Sequence, residues 1–348
     1  MGKRLFIQAV NIHQGGGRKL LEGLLGDIDF DECEYVLILD ARMPLPLNVG
    51  SNTLVRQIKH SVFQRLVNEA WLFRNTRSGD HVLCFGNLPP LFRLQAFTSV
   101  FLQNRYLIDR VGLSGFAAWD RLRITFERLW LRFAHMHANE YLVQTPSMQR
   151  LMNVLCHGRV PITVIPFAVA QVPAKAVRYG SSISYDKFIY VASGEPHKNH
   201  KRLINAWCLL AQENIFPKLF LTLDKNVYSE LSVWIEEKVK DHKLSVDNLG
   251  ILSSEALSDI YAKTGALIYP STFESLGLPL IEAEQAGIPI LASELDYVRD
   301  VVSPVQTFNP ESAISIAKAV KRFLGMSEIA APINRPGAFM QHLLSRSN

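Results

Sequence analysis

At 348 residues the chain is long enough for two domains of ordinary size, each with its own core. With 48% apolar and 20% charged residues it reads as soluble and globular, and no apolar run approaches the roughly 18 residues that would cross a bilayer. The net charge of +5 is uneven: residues 1–170 hold 19 Lys/Arg against 13 Asp/Glu, and residues 171–348 hold 18 against 19. A basic first half fits nucleic acid, anionic lipid or a phosphorylated acceptor, and charge alone does not choose among them. The four cysteines (Cys33, Cys84, Cys156, Cys208) are scattered with no CxxC pair, which argues against a disulfide framework or a zinc site and suits a reducing cytoplasm. The charged start runs into Asn11 too early for a signal peptide and reads as a first strand.

In chain order, the first half alternates short apolar runs with helical patterns. Predicted strands are Leu5–Val10, Tyr35–Leu39, His81–Phe85, Val100–Leu102, Tyr141–Gln144 and Ile162–Pro166, with helices near 62–75, 116–137 and 146–156. The runs do not alternate with polar residues, which predicts a parallel sheet covered on both faces. Residues 168–186 have no period and contain Pro, Gly and Ser, so the domains are drawn as 1–168, a linker at 169–186, and 187–325, followed by a tail at 326–348. The second half restarts the alternation. Its predicted strands are Phe188–Ala192, Leu219–Leu223, Asn248–Leu252, Ala266–Tyr269 and Ile288–Ala292. Its helices lie at 200–213, 228–240, 255–262, from 279, and 312–324, and the segment 336–345 is expected to pack back across the junction. Two doubly wound domains in tandem bind ligands between the carboxyl ends of their strands.

The loop after Tyr269 carries the most information. Pro279 suits the first turn of a helix, where it loses no needed N–H, and Gly287 closes that helix. Glu274 falls in the loop and Glu282 on the helix's first turn, both at the carboxyl edge of the sheet. Such carboxylates accept the hydroxyls of a sugar or ribose, and the free N–H groups of a helix start suit a diphosphate. The plainer alternative is a solvated Glu274 and a Glu282 that only complements the helix dipole. The context is specific, however. Pro270, Ser271, Glu274, Gly277, Leu278, Pro279, Glu282 and Ala283 stand in a PS-x-x-E-x-x-G-L-P-x-x-E-A arrangement. This resembles the signature of the group 1 (family 4) retaining glycosyltransferases of the GT-B fold, whose two Rossmann-like domains face a central cleft. Asn248–Ser253, Ile260–Lys263 and Asp296–Asp300 are similar to family text as well. The resemblance covers about 185–325 firmly and the first half loosely. It implies that Glu274 contacts the donor sugar and Glu282 the ribose, with Ser275, Leu276 and Gly277 around the donor.

Four other segments complete the reading. Val191–His200 joins a strand to a helix start; there Lys198 is placed to meet a donor diphosphate, or else is an ordinary solvated lysine. Many relatives carry an arginine just after this strand, where Ser193-Gly194 stands here, leaving Ser193, His197 or backbone N–H groups to substitute. Asn11–Arg18 contains Gly15, Gly16 and Gly17 in a loop that lets backbone approach a ligand, or forms a simple turn; the spacing is not GxGxxG. In similar transferases this loop nears donor phosphate and acceptor, which makes Gly16 and Gly17 donor candidates and His13 a weak cleft candidate. At Val100–Tyr106, Gln103-Asn104 stands where many relatives have a histidine, and Asn104 is kept as a weak cleft candidate. Finally, Trp119, Leu122, Phe126, Leu129, Trp130 and Phe133 form one stripe flanked by Arg121, Arg123, Arg128 and Arg132. It reads as an interfacial helix on anionic lipid or, more commonly, as core with its arginines in solvent.

The expectation is therefore an enzyme, a retaining hexosyl-type glycosyltransferase using a nucleotide-sugar donor. It needs no cofactor or metal, since there is no DxD motif and no His/Asp cluster with metal spacing. The text of the second half resembles bacterial O-antigen and surface-polysaccharide enzymes. That implies a polyprenyl-diphosphate-linked saccharide acceptor, a cytoplasmic location at the inner membrane face with contact through the basic half, and no nucleic-acid partner. Two rivals remain: a GT-B nucleotide- or sugar-binding subunit without catalysis, and a nucleotide-sugar epimerase.

Overall fold

The computed structural model describes residues 4–326 apart from 31–32, 45–49, 51–52, 60, 110, 114–115 and 167–184. The expected linker therefore lies outside the described residues up to residue 184, and the expected tail lies outside them from residue 327, with the segment 336–345 in it.

Among the described residues the first half builds a seven-stranded sheet from β1 (Arg4–Ala9), β2 (Glu34–Asp40), β3 (Leu54–Ile58), β4 (His81–Cys84), β5 (Phe97–Leu102), β6 (Glu140–Val143) and β7 (Ile162–Val164), in the order β3-β2-β1-β4-β5-β6-β7. The second half builds a six-stranded sheet from β8 (Lys187–Tyr190), β9 (Lys218–Leu221), β10 (Val246–Asn248), β11 (Ala266–Tyr269), β12 (Ile290–Ser293) and β13 (Gln306–Phe308), in the order β10-β9-β8-β11-β12-β13. Every strand pair in both sheets is parallel. The winding reverses between β1 and β4 in one sheet and between β8 and β11 in the other, so crevices open at the carboxyl ends of those strands.

The helices of the first half are α1 (Gly15–Asp27), α2 (Val62–Asn75), α3 (Ala118–Ala134) and α4 (Pro146–Cys156). Those of the second are α5 (His200–Gln212), α6 (Ser229–His242), α7 (Ser254–Tyr261), α8 (Leu278–Gln285), α9 (Asp296–Arg299) and α10 (Ala313–Phe323). Helices cover both faces of the first sheet, leaving two clusters, one around Phe6, Val36 and Tyr141 and one around Ile7, Leu37 and Phe101. The second half has one continuous core, in which Trp207 packs edge-on to Phe188 and donates its indole N–H to the Pro217 carbonyl at 2.9 Å. A buried indole needs such a partner.

Three expectations change. The glycine run at 15–17 is not a loop but the first turn of α1; Gly15 has φ +66°, and the helix is carried by the buried Leu20, Leu21 and Leu25. Glycine's poor helix propensity hides that start in the sequence. Glu282 falls in the second turn of α8, because the helix begins at Leu278. The stripe on α3 is not core: the buried side chains of that helix are Ile124, Leu131 and Ala134, while Trp119, Leu122, Phe126, Leu129 and Phe133 are exposed. No described helix is long and apolar enough to cross a membrane.

Candidate active site

The loops leaving β8 and β11 lie side by side at the switch point of the second sheet, and their tightest contact joins Lys198 to Glu274. The Lys198 ammonium donates to Glu274 Oε1 at 2.6 Å, and that oxygen also accepts from the Ser271 hydroxyl at 2.7 Å and the Tyr269 hydroxyl at 3.0 Å. Both charged side chains are mostly buried. Burial works to raise the Glu274 carboxyl, but the Lys198 charge, His197 and the hydrogen bonds from Lys198 and Ser271 outweigh it and hold the group below the usual carboxylate range. The carboxylate is thus charged, oriented and fixed on one edge.

Backbone ties hold the two loops in register. The His197 carbonyl accepts from the Thr272 N–H at 2.8 Å and from the Ser271 and Thr272 hydroxyls, both at 3.1 Å. Asn199 sits in the left-handed region at φ +64° and donates from Nδ2 to the Pro270 and Pro310 carbonyls. Asparagine tolerates that conformation better than most residues, a physical reason for a Lys-Asn pair here. The Lys198 carbonyl accepts from the buried Tyr190 hydroxyl at 2.6 Å.

Glu282 shares the edge but not the network. It is 7% exposed, its carboxyl makes no hydrogen bond among the described residues, and burial raises it above the usual carboxylate range, which the charge of Lys19 on α1 partly offsets. A buried acceptor without donors is costly unless something supplies them. Between the two glutamates, Ser275, the buried Leu276 and Gly277 lead into α8, with Gly277 at φ +76° as its N-cap. Pro279 has no N–H and that of Leu280 donates to the Gly277 carbonyl, so of the first three residues of α8 only Leu278 keeps a free backbone N–H among the described residues.

Ser193 and His197 stand on the near side. Ser193 hydrogen-bonds to Glu195, whose other carboxyl oxygen accepts from the Tyr228 hydroxyl at 2.6 Å. Burial acts to raise the Glu195 carboxyl, and the Ser193 and Tyr228 hydrogen bonds hold it below its ordinary value. Tyr228 lies directly over Gly194, where an added Cβ would come within 2.4 Å of the ring. His197 is lowered by burial, against the pull of Glu274, and its Nδ1 is buried with no partner.

The first half meets this site through the turn after β5. The Tyr106 ring stacks on Phe273 at 4.2 Å and lies 5.8 Å from the His197 ring. The Arg105 guanidinium pairs in a two-pronged contact with Asp296, both distances 3.0 Å, and the Asp300 carboxylate accepts the Ser147 N–H at 2.9 Å. Gly16 faces Leu278 closely enough that a Cβ would lie 3.4 Å from its Cδ1, and a Cβ on Gly17 would lie 3.3 Å from Gln103 Oε1. The glycine turn of α1 thus approaches the start of α8. Asn104 caps the turn at Tyr106 N–H and receives its own place from Asn87 Oδ1, while His13 lies in the field of Asp40, with Nδ1 buried and unpartnered. The structure therefore brings Glu274, Lys198 and His197 together, sets Gly16 against the start of α8, and gives His13 and Asn104 no contact to that cluster among the described residues. Sequence reasoning missed Glu195, Tyr228, Tyr106 and Arg105. Their separate positions along the chain gave no signal, although Asp296, the partner of Arg105, stands in a quoted motif.

Comparison with known proteins agrees with this geometry. Residues 178–335 match the family described as glycosyl transferases, group 1. The C-terminal half of this chain is thus similar to the group 1 glycosyl transferases. The serotype-specific mannosyltransferase WbdA of Escherichia coli is 32% identical over 145 residues, 40% of this chain and 17% of WbdA. The O-antigen chain mannosyltransferase B of the same organism is 27% identical over 114 residues, 33% of this chain and 30% of the relative. The aligned segment is thus less than a third of the length of either relative. Sucrose-phosphate synthase from Thermosynechococcus elongatus superposes with a TM-score of 0.65 at 16% identity, covering 93% of this chain and 90% of the synthase. That likeness establishes the GT-B fold for this chain.

Proposed function

We propose that this group 1 chain transfers a hexosyl residue from a nucleotide-sugar donor to a saccharide carried on a polyprenyl diphosphate, at the inner face of the cytoplasmic membrane, in the assembly of O-antigen or a related surface polysaccharide. The observation that carries the reading is the Lys198–Glu274 contact at 2.6 Å beside the N-terminus of α8, on the edge where both crevices open. A diphosphate leaving group gathers negative charge as the glycosidic bond breaks, and the sugar takes on oxocarbenium character. In this reading Lys198 and the N–H groups near Ser275–Gly277 receive that charge, which assigns it to the protein and not to a metal. Glu274 orients the sugar ring through hydroxyls in the place of those it now accepts from Ser271 and Tyr269. Glu282 takes up ribose hydroxyls, which would give its bare carboxylate the donors it lacks. Retention of configuration follows from the family resemblance, with the acceptor attacking from the leaving-group face. Relatedness to O-antigen mannosyltransferases supports the polysaccharide setting.

The test is titration of the purified chain with UDP, GDP, dTDP and CMP, alongside the Glu282→Ala variant, followed by product analysis with and without acceptor. One nucleotide should bind, with affinity lost about ten-fold or more in the variant, the cost of one charge-assisted hydrogen-bonded contact. No binding to any of the four would overturn the donor assignment. An isomerised donor formed without acceptor would replace transfer by epimerisation.

A further inference from the structure

The exposed stripe on α3 is part of a larger face. Trp119 is 73% exposed, Phe126 59% and Phe133 81%. On α2, Leu66, Val67 and Phe73 follow Phe63 by three, four and ten residues, on one side of the helix, and all four are exposed, Phe63 at 71%. The two helices are neighbours. Arg65 of α2 lies 4.6 Å from the ring centroid of Trp130 on α3, and the Phe73 ring stands 5.7 Å from that of Phe92. Single exposed apolar residues are ordinary, but two neighbouring helices that each turn an aromatic row to solvent are not.

Charge selects the occupant. Arg123 is paired with Asp120 and Glu127, but Arg121 and Arg132 on α3 and Arg74 in the last turn of α2 are exposed and have no ion pair among the described residues. Aromatic rings beside unpaired arginines match the boundary of a bilayer bearing anionic headgroups: rings enter the acyl edge, and guanidinium groups meet phosphate. We propose that the α2–α3 face docks this protein on an anionic phospholipid bilayer.

The placement has a direction. Arg128, on the flank of α3, donates to the carbonyls of Tyr106 at 2.7 Å and of Asp109 and Val111, each at 3.0 Å. Tyr106 is the residue stacked on Phe273 beside His197. The docked helix is therefore one hydrogen bond and one stacked ring from the Lys198–Glu274 pair, and a lipid-linked acceptor would enter from the bilayer on which α3 rests. That entry route rests on the proposed function; the docking itself does not.

The experiment is co-sedimentation of the full chain with phosphatidylglycerol-rich vesicles and with phosphatidylcholine vesicles, at low salt and at about 1 M salt, where the screening length falls to about 3 Å. Two variants are run beside the wild type, one with Trp119→Ser, Phe126→Ser and Phe133→Ser, the other with Arg121→Glu and Arg132→Glu. All these positions are exposed, so circular dichroism should be unchanged. The expected result is binding to the phosphatidylglycerol vesicles only, weakened by salt and at least ten-fold weaker in both variants, with unaltered nucleotide titration. Equal sedimentation of variants and wild type would overturn the proposal. So would a lipid-free dimer, seen by sedimentation velocity, that the serine variant splits, since the face would then pair two copies of the chain. Vesicle binding without nucleotide binding would sink the transfer reading alone, and nucleotide binding without vesicle binding would sink the docking alone.

Discussion

The two sheets share one winding and differ in how the loops at their switch points are finished. In the second half, Lys198, Ser271 and Tyr269 all hold the Glu274 carboxylate, and two loops far apart in sequence are cross-tied by Asn199, Ser271 and Thr272, although His197 Nδ1 stays unpartnered there. In the first half, the corresponding edge is a glycine turn, a histidine with an unpartnered buried nitrogen and an asparagine spent on a cap, while the outer helices leave apolar rows in solvent. One half holds its charges in place before any ligand arrives, as electrostatic catalysis requires. The other is shaped to be completed by something outside the chain.

The contrast is broken most severely by removing the pair at its centre. Glu274→Ala and Lys198→Ala should each lower turnover about 100-fold or more, as measured by single-turnover transfer on folded protein. Each should also cost about 3–5 kcal/mol in urea denaturation, because the surviving charge stays buried without its partner. Near-normal turnover in either variant would remove that residue from the mechanism. A smaller effect is expected at Gly194→Ala. The new methyl group would drive Tyr228 off its place and away from Glu195, costing about 1–3 kcal/mol in stability. Nucleotide affinity measured on the same variant reports whether that network belongs to the donor side.

The smallest effect separates the two glutamates by pH. Glu274 is held below its ordinary value of 4.5, so the stability it contributes is present above that pH and is lost as the pH falls through its lower folded value. Glu282 is raised above 4.5, so its contribution is full below that pH and is lost as the pH rises through its folded value. Glu282→Gln should therefore raise Tm by a few degrees at pH 7 and leave it unchanged near pH 4, while Glu274→Gln should lower Tm at pH 7. Thermal melts at both pH values decide it, and a fall at pH 7 for Glu282→Gln would mean that the carboxylate has a partner in solution.

The legibility of the chain follows the same divide. The second-half strands and the Glu274 loop could be read because buried parallel strands leave unbroken apolar runs and because Pro279 and Gly287 punctuate α8. β3 went unread because its edge position leaves Leu54–Ile58 mostly outside the core, with Leu54 exposed and Arg56 and Gln57 in the strand. β13 and α9 are three and four residues long, too short for a period to show. The α3 stripe was seen but assigned to the core, since periodicity marks an apolar face without saying what covers it. Contacts such as Lys198 with Glu274, or Tyr106 with Phe273, join residues that only the folded chain brings together.

Leu278 gives these two halves a common part. It is the first residue of α8, yet it packs against the cluster under the first sheet that contains Ile12 and Leu20. In the proposed function that helix start receives a diphosphate, and the leucine seated in the opposite domain cannot shift independently of it, because they are one turn of one helix. The proposed donor site and the seating of Leu278 are then thermodynamically linked, and the linkage runs both ways: on that proposal, whatever seats Leu278 more firmly against the first half tightens the donor by the same factor.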